Sequence, residues 1–165
     1  HTERKHIMIE LAQKCIAEAN QNLVAYSLRD LASERDCAWK IVRNSGTSGS
    51  SAKYSFQSHS NTDIWWSIGT TYGIGGNQEL YLGTEQTNDI PDEDWGRFII
   101  HELTEWSNGG KDIVIESYAY PGYYLENTGH TLTGNGLKFV SKGKPEDATR
   151  FRLNGNVVGS TIEGI

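Results

Sequence analysis

Short apolar runs recur along this chain, separated by polar or glycine-bearing breaks. The C-terminal third shows the pattern most plainly. Ile113-Val114-Ile115 opens an extended run, and Tyr120-Pro121-Gly122 turns the chain into Tyr123-Tyr124-Leu125. Glycines at 129, 134 and 136 precede Leu137-Lys138-Phe139-Val140, and a polar stretch from Lys142 to Asp147 leads into Thr149-Arg150-Phe151-Arg152-Leu153. Runs this short, rich in β-branched and aromatic residues and bounded by turn formers, predict strands.

The middle third repeats the order. Tyr54-Ser55-Phe56 opens it, Asp63-Ile64-Trp65-Trp66 follows, and a glycine-rich loop from Gly69 to Gly76 leads to Glu79-Leu80-Tyr81-Leu82. Its closing phrase, Asp94-Trp95-Gly96-Arg97-Phe98, aligns with Asp147-Ala148-Thr149-Arg150-Phe151. Phe56 to Trp65 and Ile115 to Tyr124 are each nine positions. The first third is weaker: Ile7-Met8-Ile9, Cys15-Ile16-Ala17 and Leu23-Val24-Ala25-Tyr26 precede a closing Cys37-Ala38-Trp39-Lys40-Ile41-Val42. Met8, Leu11, Cys15, Ala19 and Tyr26 also suit one face of a helix, and local signals alone favour a helix over residues 3–19. The spacing of Ile9, Phe56 and Ile115 favours strands.

Three copies of a four-strand unit, at about 5–44, 53–101 and 111–154 of a single domain 1–165, resemble a β-trefoil. The fold class expected is therefore all-β, with pseudo-threefold symmetry and with Trp39, Phe98 and Phe151 in a shared core. Within the third copy, Glu116-Ser117-Tyr118-Ala119-Tyr120-Pro121-Gly122-Tyr123-Tyr124-Leu125 and the Asp147-Ala148-Thr149-Arg150-Phe151 phrase resemble arabinose-binding modules attached to arabinofuranosidases. That resemblance covers about forty residues and implies a lectin-like function toward arabinose or other neutral sugars. The Gln-x-Trp phrase of ricin-type lectins is missing, which argues against a site of that type.

Composition narrows the choice. The chain has 165 residues, 18 Gly, 5 Trp and 8 Tyr, and a formal net charge of -6. An acidic chain without a Lys/Arg run makes nucleic acid a poor partner, and no apolar stretch has the length of a membrane span. Cys15 and Cys37 could form a bridge or stay free thiols, so the compartment stays open between secretion, the first expectation, and the cytoplasm. The chain begins at His1 and ends at Ile165, which permits a longer parent protein.

No catalytic set assembles. His101-Glu102-Leu103-Thr104-Glu105 resembles a zinc-protease phrase with Glu105 where the second His belongs, so a neutral nitrogen ligand is lost. Gly73-Ile74-Gly75-Gly76 lacks the Lys and following helix of a phosphate loop. Asp92, Glu93 and Asp94 read as a solvated loop, and His59 as a turn residue. No enzyme, metal or cofactor is expected. A sugar site needs an aromatic face and a carboxylate or amide. The third copy offers Tyr123 or Tyr124 with Asn127, His130 and Asp147, and the second offers Trp65 or Trp66 with Asp63 and Asp94. Alternation sends one aromatic of each adjacent pair outward. A glycan or glycoprotein is the expected partner. The alternatives are a protein-binding domain (protease inhibitor, cytokine-like ligand or receptor-binding part of a toxin) and a purely structural domain.

Overall fold

The computed structural model describes residues 6–11, 14–19, 22–27, 37–44, 52–73, 75–105, 110–128 and 136–154. The strands among them are β1 His6–Leu11, β2 Lys14–Ala19, β3 Asn22–Ser27, β4 Ala38–Arg43, β5 Tyr54–Ser58, β6 Ile64–Tyr72, β7 Gln78–Gln86, β8 Phe98–Glu105, β9 Lys111–Ser117, β10 Tyr123–Asn127, β11 Leu137–Ser141 and β12 Phe151–Asn154. Short 3-10 turns, Asp94–Gly96 and Pro145–Asp147, precede β8 and β12. The stretch with helical spacing forms β1 and β2. Pairing overrides its local propensity, because β1 has a partner on each edge: Ile9 faces Leu153 of β12, and Ile7 faces Trp39 of β4.

All twelve strands join one antiparallel sheet. A closed ring of nine runs β9-β10-β11-β7-β6-β5-β4-β1-β12 and back to β9. β8 spans the ring between β5 and β9, and the β2–β3 hairpin stands outside it on β1. This corrects the expected fold class, a β-trefoil of three equivalent four-stranded repeats. Each copy keeps the same pairings within itself and to the next, but the hairpins differ in length and one pairing between hairpins has no counterpart among the described residues. β6 and β7 have nine residues each, against six in β2 and β3 and five in β10 and β11. The long hairpin reaches across, so β7 pairs with β11 through Leu80–Phe139 and Tyr81–Lys138. Among the described residues β3 pairs only with β2.

The hairpin is long because Gly69 continues the strand and does not start the loop expected from Gly69 to Gly76. Gly69 faces Tyr81 in register, and a Cβ there would strike the Tyr81 ring. Its bare Cα leaves room for that ring against β6, so the strand continues to Tyr72, beyond which Gly73 N–H donates to Asn77 O.

Inside the ring, Trp66 stacks on Phe56 with centroids 4.0 Å apart and meets Trp39 and Phe98 edge-on at 5.5 and 5.9 Å. Trp39, Phe98 and Phe151 are all buried and share this core with Ile9, Ile115 and Leu153. Trp39 keeps its indole N–H satisfied by donating to Ile16 O at 2.8 Å. A second small cluster, Met8, Ala17 and Ala38, surrounds a disulfide between Cys15 and Cys37, whose Cα atoms are 6.0 Å apart. The bridge ties β2 to the residue before β4. No helix among the described residues is long and apolar enough to cross a membrane.

Candidate functional site

The Tyr120-Pro121-Gly122-Tyr123 segment is a tight turn whose chemistry is local. Proline pre-sets its φ at the second position, and Gly122 takes φ +88° at the third, the combination a type II turn demands. Tyr123 N–H closes it on Tyr120 O at 3.1 Å. Such a turn brings its first and fourth residues together, so the two tyrosine rings meet at 6.3 Å and 71°.

Four further bonds fix the turn to the barrel. Gly122 N–H donates to Glu116 Oε2, Tyr120 N–H to Ser117 Oγ, Lys142 N–H to Gly122 O, and Tyr118 N–H to Arg97 O. Glu116 is nearly buried; its other oxygen meets His101 Nε2 at 2.6 Å. Tyr124 packs beside the same carboxylate, and burial, then the charge of Glu116, pushes its hydroxyl above the ordinary tyrosine range.

Beyond the turn lies a cleft of about 310 Å³, walled by Tyr120 and Tyr123 on one side and by β7 and β11 on the other. Tyr120, Tyr123 and Val140 are three of the five large apolar side chains exposed among the described residues, and all three line it. Its polar walls are Gln78, Ser141 and an ion pair, Lys138 Nζ to Glu79 Oε2 at 2.6 Å. Aromatic faces with a few convergent donors and acceptors suit a small polar ring better than an extended apolar ligand.

The residues singled out from sequence fall in different places. Tyr123 lines the cleft, while its neighbour Tyr124 is buried, as alternation requires of one of them. Asn127 ends β10 opposite Leu137, and Asp147 is exposed at the end of its 3-10 turn; neither lines the cleft. His130 lies outside the described residues. Both Trp65 and Trp66 are buried, so the alternation argument gives no outward ring there. Trp66 fills the barrel, and Trp65, on the other face of β6, donates its indole N–H to Thr87 O. Asp63 is exposed just before β6, and Asp94 pairs with Arg97 at 2.8 Å. The second-copy group sits at the Ile64–Gln86 end of the hairpin, whereas the cleft is at the Tyr72–Gln78 end. From Trp66 to Thr70, which faces Leu80 of the cleft, is four residues of strand, about 13 Å.

Sequence reasoning missed Tyr120, Gln78, Glu79, Lys138, Val140 and Ser141. Tyr120 was findable, because a Pro-Gly type II turn always juxtaposes its flanking residues. The other five come together only through the β7–β11 pairing, which joins segments almost sixty residues apart.

One carboxyl stands apart from this cleft. Glu85 faces Trp65, its Oε1 is buried, and that atom meets no hydrogen-bond donor among the described residues. Burial first, then the charges of Asp92 and Glu93, push its pKa above the usual carboxylate range. The folded state therefore holds this proton more tightly than the unfolded chain. The resulting stabilisation is present below the unfolded value and lost as pH rises through the folded one. Glu85→Gln is accordingly expected to raise stability at neutral pH and to change it less in mild acid. Denaturant unfolding at the two pH values checks this, and equal gains at both would contradict it.

The chain matches no known protein-family model, and no curated protein matches it in sequence. Similarity appears among solved structures. The chain is similar to the BEL beta-trefoil in an apo crystal form, at 12% identity and a TM-score of 0.59, over 93% of this chain and 94% of that one. It is similar to an SDF2-like protein from Arabidopsis thaliana, at 11% identity and a TM-score of 0.63, over 92% and 93%. It also resembles part of a mosquitocidal holotoxin, at 12% identity and a TM-score of 0.60, covering 93% of this chain but only 17% of that one. At these identities the likeness reaches the fold alone. It sets this closed barrel beside a β-trefoil, although its strands do not divide into three equal repeats.

Proposed function

We propose that this chain is a non-catalytic carbohydrate-binding domain, with the cleft between the Tyr120–Tyr123 turn and β7–β11 as its sugar site. One observation carries the reading: Tyr120 and Tyr123 of the turn and Val140 of β11, all exposed apolar groups, converge on one cleft that also holds an ion pair. A sugar ring has an apolar face of C–H groups and a rim of hydroxyls, and this wall chemistry matches both. The turn's resemblance to arabinose-binding modules supports neutral sugars as ligands. The Cys15–Cys37 bridge supports secretion, because disulfides persist in oxidising surroundings.

A glycan array tests the proposal. The parent chain is expected to retain neutral glycans, and Tyr123→Ala to lose about tenfold or more in affinity, the effect of truncating an aromatic anchor. Equal retention by both proteins, or by neither, would overturn it.

A protein-binding role is the second reading, favoured by Tyr72. This ring is 75% exposed, at the outer end of the long β6–β7 hairpin, where a partner could reach it. An array without hits would favour this reading.

A further inference from the structure

The cleft's polar wall narrows the ligand further. Glu79 and Lys138 lie diagonally across the β7–β11 pair: Lys138 faces Tyr81, and Glu79 sits two residues before Tyr81. Their charged ends touch at 2.6 Å, and both side chains are only partly exposed. The pair is also held from behind. A Cβ on Gly73 would overlap the Glu79 carboxyl, so the glycine at the start of the β6–β7 turn leaves the carboxylate its position. Gly73 itself is fixed by two turn bonds, its N–H to Asn77 O and its carbonyl from Gly76 N–H.

A carboxylate only accepts hydrogen bonds and an ammonium only donates them. A single hydroxyl can donate to the carboxylate while it accepts from the ammonium, but only from the one point where the two charges touch. Two hydroxyls on neighbouring carbons give each charged group a partner of its own, one donating to Glu79 and its neighbour accepting from Lys138. The net charge of the pair is zero, so it gives no preference to an anionic sugar.

We infer that the cleft selects sugars by a pair of adjacent free hydroxyls, held between the Glu79 carboxylate and the Lys138 ammonium while the ring's C–H face rests on the tyrosines. This rests on the sugar-binding reading proposed above. Gly73 acts as a positioning residue through Glu79.

The test is isothermal titration calorimetry with methyl α-L-arabinofuranoside, methyl β-D-galactopyranoside and methyl β-D-xylopyranoside, and with the monodeoxy derivatives of whichever binds best. Glu79→Gln, Lys138→Met and Gly73→Ala are measured alongside, their folding confirmed by thermal unfolding. A partly exposed ion pair contributes little to stability, so the first two variants are expected to fold as the parent does. Each is expected to lose about tenfold or more in affinity, the weight of a hydrogen bond to a charged group. The monodeoxy sugar lacking either hydroxyl should lose as much, and Gly73→Ala should weaken binding without abolishing folding. If the parent binds a glycoside and both charge variants bind it equally well, the diol inference is overturned and the sugar site stands. If no glycoside binds the parent, both fall together.

Discussion

Trp66→Ala is expected to destabilise the protein by about 3–5 kcal/mol, the cost of truncating a large buried aromatic. The reason is its position. Trp66 is fully buried, stacks on Phe56, and meets Trp39 and Phe98 edge-on, so its removal opens a cavity bordered by residues from β4, β5 and β8. Those neighbours are held by strand pairings on both sides and cannot collapse far into the space. For a domain of this size the loss corresponds to a fall in Tm of about 10 °C or more. Thermal and urea unfolding of the variant read it directly. A Trp66→Ala protein as stable as the parent would show that this ring is not in the core. It would return Trp66 to the candidates for an exposed sugar platform.

The second large effect belongs to the disulfide. Replacing Cys15 and Cys37 together by alanine is expected to cost about 3 kcal/mol on a loop-entropy account. The bridge closes a segment with a sequence separation of 22, and both cysteines are buried against Met8, Ala17 and Ala38. The β2–β3 hairpin lies within that segment and outside the closed ring, so it has fewer strand partners to hold it than the other hairpins. Urea unfolding of the double variant, and of the parent with and without reductant, measures the term. Equal midpoints for oxidised and reduced parent would contradict it.

Strand content was legible because the apolar runs are short and punctuated. Ile113-Val114-Ile115, Tyr123-Tyr124-Leu125 and Leu137-Lys138-Phe139-Val140 fall within β9, β10 and β11. The aligned closing phrases put Phe98 and Phe151 in the core; both are buried, and they begin β8 and β12. What the repeat pattern could not carry was the inequality of the copies. A glycine within an apolar pattern reads as a break, but Gly69 is a strand residue because of a ring on the neighbouring strand, and that depends on Tyr81 in register. From the longer hairpin follow the β7–β11 pairing and hence most of the cleft. Periodicity also misjudged Trp65 and Trp66: it assigns opposite faces correctly, yet both faces of β6 are covered at that point. Tyr123 was chosen from its own turn, and that turn is local enough for sequence to specify. Glu79 and Lys138 were not, because ion pairs between distant strands leave no mark on either segment.

On the proposed function, one cleft bounded by the Tyr120–Tyr123 turn and the β7–β11 pair receives a neutral sugar. Backbone amide NMR of the parent chain, titrated with methyl glycosides, tests it most directly. The expected shifts saturate and map to residues 78–80, 120–123 and 138–141, while the amides of Asp63, Asp94 and Asp147 stay still. Saturating shifts centred on Asp147 or Asp63 instead, or none with any glycoside, would contradict it.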